Sequence, residues 1–390
     1  MEFTFTPEEQ QFRDEVRSFL QRECTDEIVH ALNWDPDAKI CHEWQQKMAK
    51  EGLLTLGWPK QYGGQERGAI DQAIFLEEAG YRGALDDTIL LATHFIVGPA
   101  LLLFGTPELQ QRFLPLIASG QVRFTNALTE PEAGSDLASL KTQAVQDGEF
   151  YVLNGQKTFI TGADRVDYVH AATRTDPDAP SHRGISMFLV DTASAGFEAR
   201  PMTNILGKPN ECQIFFDNVR VPASQMLGEK NRGWYVLMGT LDILRSGISG
   251  VGASRRRLQK LCALYRERGL NGNHSARDGQ IQDMLAQLHV DIETFRLMAW
   301  RVVAAQATGQ IPNYEAAASS YVSKLLSRKM AVAGMAILGN DGIFRRCSNR
   351  EAPLDDIAEH FLDSSHLQAG GTHEILRSVI AQRGFGLPRG

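Results

Sequence analysis

The hydrophobic period of this chain changes twice, and no other feature limits the folds open to it as strongly. Up to about residue 122 apolar residues recur at helical spacing. From 123 to 227 they fall into short runs separated by turn residues, and from 233 to about 382 the helical spacing returns. The first stretch opens on a helix-start signal, with Thr6 as N-cap, Pro7 at the first helical position and Glu9 completing a capping box. Phe12, Val16, Phe19 and Leu20 follow at a spacing that turns them toward one core. Helical patterns also cover residues 70–79, 88–104 and 107–114, and the Gly- and Pro-containing stretch 56–64 reads as a loop. In the middle, 150–153 and 157–161 flank Asn154-Gly155, which predicts a hairpin turning at that dipeptide. Residues 168–172, 185–190 and 213–216 read as further strands, and 281–307 and 316–338 as long helices. The order predicts an α+β protein in three parts: an N-terminal helical domain (1–122), a central β domain (123–230) and a C-terminal helical bundle (231–390).

Charge and cysteine usage narrow the partners. A net charge of -7 argues against nucleic acid or an anionic membrane surface. No apolar run approaches the roughly 20 residues that span a bilayer. The opening Met1-Glu2-Phe3-Thr4 lacks the layout of a signal peptide. Cys24, Cys41, Cys212, Cys262 and Cys347 are scattered without metal-ligand spacing, so reduced thiols in a cytoplasmic protein and no bound metal are expected.

Two segments carry chemistry. One is Ala127-Leu128-Thr129-Glu130-Pro131-Glu132-Ala133-Gly134-Ser135-Asp136, the other Asn154-Gly155-Gln156-Lys157-Thr158-Phe159-Ile160-Thr161-Gly162-Ala163. A flavin needs donors at its ring edges, a neutralised pyrophosphate and a flat apolar neighbour. Thr129 and Thr161 suit the first need, Gly134 and Ser135 the second, and Phe159 the third. Singly, each residue also suits an ordinary turn or half-buried strand. Together the segments resemble the flavin-holding motifs of the acyl-CoA dehydrogenase family, and the resemblance runs along essentially the whole chain. It implies that family's helical, β and helical-bundle domains, bound FAD, and FAD contacts at Leu128, Thr129, Gly134, Ser135, Phe159 (where many members have Trp) and Thr161. In Leu241-Asp242-Ile243-Leu244-Arg245 it implies acyl-CoA contacts for Asp242 and Arg245.

Three departures qualify what the resemblance implies. The family's catalytic Glu stands before a Gly-Thr pair or, in some members, before the active-site Arg; here those positions hold Gly370 and Leu244, and neither can remove a Cα proton. Glu374 reads as a helix-start charge. His94, on the helix that lines the acyl cavity in the family, reads as a satisfied core histidine or as an alternative base. Third, the Arg-x-x-Phe-Gly and Gln-x-x-Gly-Gly-x-Gly segments that close a neighbour's FAD site are degraded, with Asn271 in place of the Phe and Ala336 in place of the Gln.

A narrower resemblance is to the bacterial acyl-CoA dehydrogenases of steroid catabolism, many of which form α2β2 heterotetramers. It is carried by the run from Gly57 to Gln65, by His182-Arg183-Gly184-Ile185-Ser186, and by Gly370-Gly371-Thr372-His373-Glu374 with the closing Gly386-Leu387-Pro388-Arg389. These resemblances imply FAD-dependent oxidation of the Cα–Cβ bond of a bulky, steroid-derived acyl-CoA, with an electron-transfer flavoprotein as acceptor. The partner would be a homologous subunit, or copies of the same chain in a homotetramer. The missing Glu leaves open changed chemistry (elimination, reduction or desulfination) and a non-catalytic subunit. Arg255-Arg256-Arg257 reads as a solvated face or a CoA-phosphate site, and Gly247, Gly250 and Gly252 as close packing against a neighbour or a bulky ligand.

Overall fold

From Ile185 through Val190 every residue is buried, because both faces of this strand carry a core. Ile185, Met187 and Leu189 pack with Trp58, Leu101, Phe113 and Phe124, whereas Phe188 and Val190 pack with Tyr151, Leu153, Ile214 and Val219. The computed structural model describes residues 4–85, 88–244, 246–268, 276–310, 312–343, 353–364 and 370–388, with the backbone alone at 241–244, 276–277, 343 and 353–356. Its contacts divide the chain into two units, Asp26–Gly68 with Leu85–Leu244, and Met1–Thr25 with Ala69–Ala84 and Arg245–Gly390.

The first unit holds all the strands: β1 (Phe124–Ala127), β2 (Gln143–Asp147), β3 (Phe150–Thr161), β4 (Tyr168–Arg174), β5 (Ile185–Asp191), β6 (Phe197–Met202), β7 (Glu211–Pro222) and β8 (Met226–Leu227). They form one mixed sheet in the order β6-β7-β3-β2-β4-β5-β8, with β1 added parallel to β4. Around it lie α2 (Asp26–Trp34), α3 (Lys39–Lys50), α5 (Thr88–Ala92), α6 (Gly98–Phe104), α7 (Pro107–Ala118) and α8 (Gly233–Leu244). The expected single helix over 88–104 is interrupted by a π-helical turn, Thr93–Val97.

The expected turn at Asn154-Gly155 is absent, because β3 runs straight through the dipeptide. The chain reverses instead at Gly148, between β2 and β3. Asn154 lies opposite a bulge in β7, where its Oδ1 accepts from the Asn218 backbone N–H at 2.9 Å. Gly155 is required by close approach: a Cβ there would stand 2.7 Å from the Cα of Thr142. The dipeptide that signals a hairpin serves a bulged strand crossing here.

The second unit is helical: α1 (Pro7–Glu23), α4 (Ala69–Arg82), α9 (Ile248–Glu267), α10 (Ala276–Ala307), α11 (Tyr314–Leu338), α12 (Pro353–Asp363) and α13 (His373–Val379). The capping box at Thr6 and Glu9 forms as expected. Ile248 and Val251 of α9, Ile292 and Phe295 of α10, and Leu326 and Met330 of α11 share one core. Helices α4 and α9 meet backbone to backbone, since a Cβ on Gly252 would fall 2.0 Å from the Glu77 carbonyl oxygen. That contact accounts for part of the glycine cluster. The arginine run is also drawn in: Arg255 stands 3.7 Å from the Glu77 carboxylate, and Arg257 lies 3.2 Å from the His360 ring. One unit is helical and the other holds a mixed sheet with its own helices, which is the expected α+β architecture. Among the described residues no helix is long and apolar enough to cross a membrane.

Candidate functional site

The first motif segment leaves the sheet at the end of β1 and returns at β2. Within it Glu130 and Ala133 exchange both backbone hydrogen bonds at 3.1 Å, closing a tight turn over Pro131 and Glu132. The second segment is the far half of β3. Three contacts bring the two together: the Thr158 N–H donates to the Thr129 carbonyl at 2.9 Å, and Lys157 Nζ donates to the Leu128 carbonyl at 3.0 Å and to Glu130 Oε1 at 2.8 Å.

Glu130 and Lys157 are the buried ion pair of this unit, 7% and 0% exposed. The Glu130 carboxylate also accepts from the backbone N–H groups of Lys141 and Thr142, at 2.6 and 2.9 Å. Burial raises the cost of its charge, but Lys157 and these donors outweigh it and hold its pKa below the usual carboxylate range. Burial lowers Lys157 to about 8 despite the adjacent carboxylate. Sequence reasoning quoted both residues and gave them no role. The available signal was strand alternation: Tyr151, Leu153 and Lys157 share the inward phase of β3, and a lysine buried in a sheet core requires a carboxylate.

Phe159 sits in a β-bulge. Between Lys157 and Ile160 two β3 residues oppose the single Gln213 of β7. The bulge places Phe159 at φ 57°, a conformation that a bulky side chain adopts at a cost, and leaves its ring 68% exposed. Strain and exposed aromatic surface together mark a residue held for contact with something else. Phe159→Gly is expected to keep or slightly raise thermal stability, by up to about 1 kcal/mol, since glycine takes positive φ freely. The same variant should lose affinity for whatever the ring covers. A melting temperature several degrees below the parent would refute the strain argument.

The other expected contacts lie around this junction. Leu128, Thr129 and Thr161 are half-buried, whereas Gly134 and Ser135 are exposed. Among the described residues no protein group hydrogen-bonds the hydroxyls of Thr129, Ser135 or Thr161, and a Cβ on Gly134 would meet nothing within 4 Å. These hydroxyls and the backbone at Gly134 are therefore uncommitted among the described residues.

The proton-transfer candidates fare differently. His94 is fully buried on the π-helical turn, with Nδ1 3.1 Å from the Leu90 carbonyl and Nε2 3.0 Å from that of Ile117. Burial lowers it to about 4, and both nitrogens face main-chain oxygens, so it is a core residue here. Gly370 is exposed at φ 72°, and a Cβ there would meet nothing within 4 Å. Glu374 is exposed in the first turn of α13, where backbone N–H groups lower its pKa. The Leu244 and Asp242 side chains, Arg245, and Asn271 lie outside the described residues. Ala336 packs against the bundle core. The two degraded neighbour-closing segments are tied to each other, because Arg268 donates to the Leu338 carbonyl at 2.9 Å and to Asp341 at 2.8 Å.

Three family descriptions match consecutive parts of the chain: acyl-CoA dehydrogenase N-terminal domain (6–121), middle domain (125–219) and C-terminal domain (231–385). The chain is 32% identical to acyl-CoA dehydrogenase FadE26 of Mycobacterium tuberculosis, over 100% of this chain and 99% of that protein. Two solved structures superpose along their full lengths, each covering 100% of both chains. One, described as the Tcur3481-Tcur3483 steroid ACAD, has a TM-score of 0.89 at 30% identity. The other, the ChsE4-ChsE5 complex from Mycobacterium tuberculosis, has a TM-score of 0.86 at 32% identity.

Proposed function

The chain belongs to the acyl-CoA dehydrogenase family, oxidoreductases acting on CH–CH donors, and from that premise we propose that it is a cytoplasmic FAD-binding subunit for Cα–Cβ oxidation of a bulky, steroid-derived acyl-CoA. The observation that carries this reading is the junction of the two segments. An exposed aromatic ring held in a strained bulge stands beside unclaimed hydroxyls on a rigidly pinned loop. Thr129 and Thr161 would supply ring-edge donors, Ser135 and the backbone at Gly134 would meet phosphate oxygens, and Phe159 would cover the ring. FAD, when bound, supplies the hydride acceptor. Leu128 is fixed through its carbonyl by Lys157, so the strand that would face the ring is set in place beforehand. Asp242 and Arg245 are proposed to face the acyl-CoA. An electron-transfer flavoprotein is the proposed acceptor.

A second reading rests on Gly370 and Leu244, which leave the two usual base positions without a proton acceptor. On that reading the chain performs redox-neutral or reductive chemistry on an acyl-CoA, or holds FAD as the non-catalytic member of a heterotetramer. The relatives described as complexes of two chains favour a homologous partner over a homotetramer.

One preparation tests these readings. Expressed alone, the chain is expected to retain less than one FAD per subunit, and co-expression with a homologous chain should raise the ratio. Thr129→Ala with Ser135→Ala should lower it further, since a hydrogen bond to a charged group is worth about 1.5–3 kcal/mol. Anaerobic addition of steroid-type acyl-CoAs should bleach the flavin. Turnover without bleaching would select the changed chemistry, and a double variant as yellow as the parent would remove the flavin from this junction.

A further inference from the structure

One buried titratable group beside the first segment has no role in the reading above. His170 on β4 faces the core that takes Ala172 two residues on, and it is fully buried. Its register partners are Leu189 on β5 and Asn126 on β1. Nδ1 lies 3.0 Å from Asn126 Oδ1, and Nε2 is buried with no hydrogen-bond partner. Such a nitrogen in an apolar core is costly, and burial lowers the ring to about 4, so it is neutral at pH 7. A hydrophobic residue would fill this place with less loss of stability. What the histidine adds is an orientation for Asn126.

With Asn126 Oδ1 as acceptor, the neutral ring carries its proton on Nδ1 and the amide nitrogen of Asn126 is turned away from it. Asn126 is half-buried, and among the described residues nothing accepts from its Nδ2. It shares the strand phase of Phe124, and Leu128, just past the end of β1, packs against the same core as Phe124. We propose that Asn126 is a further ligand-contacting residue of this site, its Nδ2–H donating to an acceptor atom of the bound molecule, with His170 as its positioning residue. The proposal rests on the flavin reading. The acceptor chemistry is a carbonyl-type oxygen or ring nitrogen, and two sources offer it: the edge of the flavin ring, or an oxygen substituent on the acyl group.

The test compares flavin-loaded parent, Asn126→Ala, Asn126→Asp and His170→Leu. Asp keeps the shape and the acceptor toward His170 but replaces the donor by an oxygen, so its effect should exceed that of Ala. If the flavin is the source, FAD affinity falls about five- to tenfold in the Ala variant and the visible flavin band shifts. If the acyl group is the source, FAD affinity stays and affinity for a keto-bearing CoA thioester falls by that factor, with no change for an unsubstituted thioester of equal length. His170→Leu should reproduce the same pattern more weakly, and parent values in it would overturn the positioning role. A yellow parent whose two Asn126 variants keep parent affinities and spectrum overturns the proposal alone. A parent that takes up no flavin, with or without a homologous chain, sinks the flavin reading and the proposal with it.

Discussion

Glu130→Ala is expected to destabilise the protein by about 3–5 kcal/mol, the usual cost of leaving one member of a buried ion pair without its partner. The loss has two parts. Lys157 would keep the Leu128 carbonyl but lose the carboxylate, and the Arg174 charge already opposes its ionisation. The backbone N–H groups of Lys141 and Thr142 would lose their acceptor. Lys157→Met should cost less, because Glu130 would retain both backbone donors, one on each carboxylate oxygen, and can still be stabilised as an anion. The double variant Glu130→Gln with Lys157→Met should recover part of the loss, since the amide oxygen still accepts one backbone bond and no charge is buried. Urea unfolding at pH 7, followed by circular dichroism, measures all three. Flavin content should fall with stability in Glu130→Ala, because Leu128 and Thr129 are held through this pair. A Glu130→Ala midpoint within 1 kcal/mol of the parent would show that the pair does not hold the segments together.

How far the fold was legible follows from which forces set each element. The capping box at Thr6 and the helices over 281–307 and 316–338 were readable, because local propensity and period agree with the tertiary result. Asn154-Gly155 misled because turn propensity is local, whereas the clash of a Cβ with Thr142 and the β7 bulge at Asn218 are set by residues distant in sequence. The π-helical turn at Thr93–Val97 could not be read either, since it depends on Thr93 accepting from the Phe124 N–H and on His94 reaching the Ile117 carbonyl. At the candidate site, the segment letters located the junction, but the geometry that gives it chemical character was invisible. Phe159 reads as an ordinary strand residue until the bulge with β7 is formed. The cost of its positive φ is a tertiary property, as is the pairing of His170 with Asn126 across parallel strands 44 residues apart.

Two fully buried histidines make the protein sensitive to mild acid. His94 and His170 are each lowered to about 4 from an ordinary 6.5, in both cases because burial penalises the charged ring. A group whose folded pKa lies below its unfolded value contributes stability that is complete above the unfolded pKa and is lost as pH falls through the folded one. For these rings that window is pH 6.5 down to about 4. Each contributes a slope approaching 1.4 kcal/mol per pH unit, or about 3 kcal/mol across the window. The depressed carboxylates Asp37, Glu78 and Glu130 begin to matter only below about their ordinary pKa of 3.8 to 4.5, so between pH 6.5 and 5 the histidines dominate among the shifted groups. Urea midpoints taken at half-unit intervals from pH 7.5 to 4.5 should stay level to about 6.5 and then fall, the two rings together approaching about 2.8 kcal/mol per pH unit. His170→Leu should remove about half of that slope while leaving the plateau at or above the parent value, because an apolar side chain replaces a nitrogen with no partner. A parent whose stability is level from pH 7 to 5 would mean that neither ring is as dry as its burial requires.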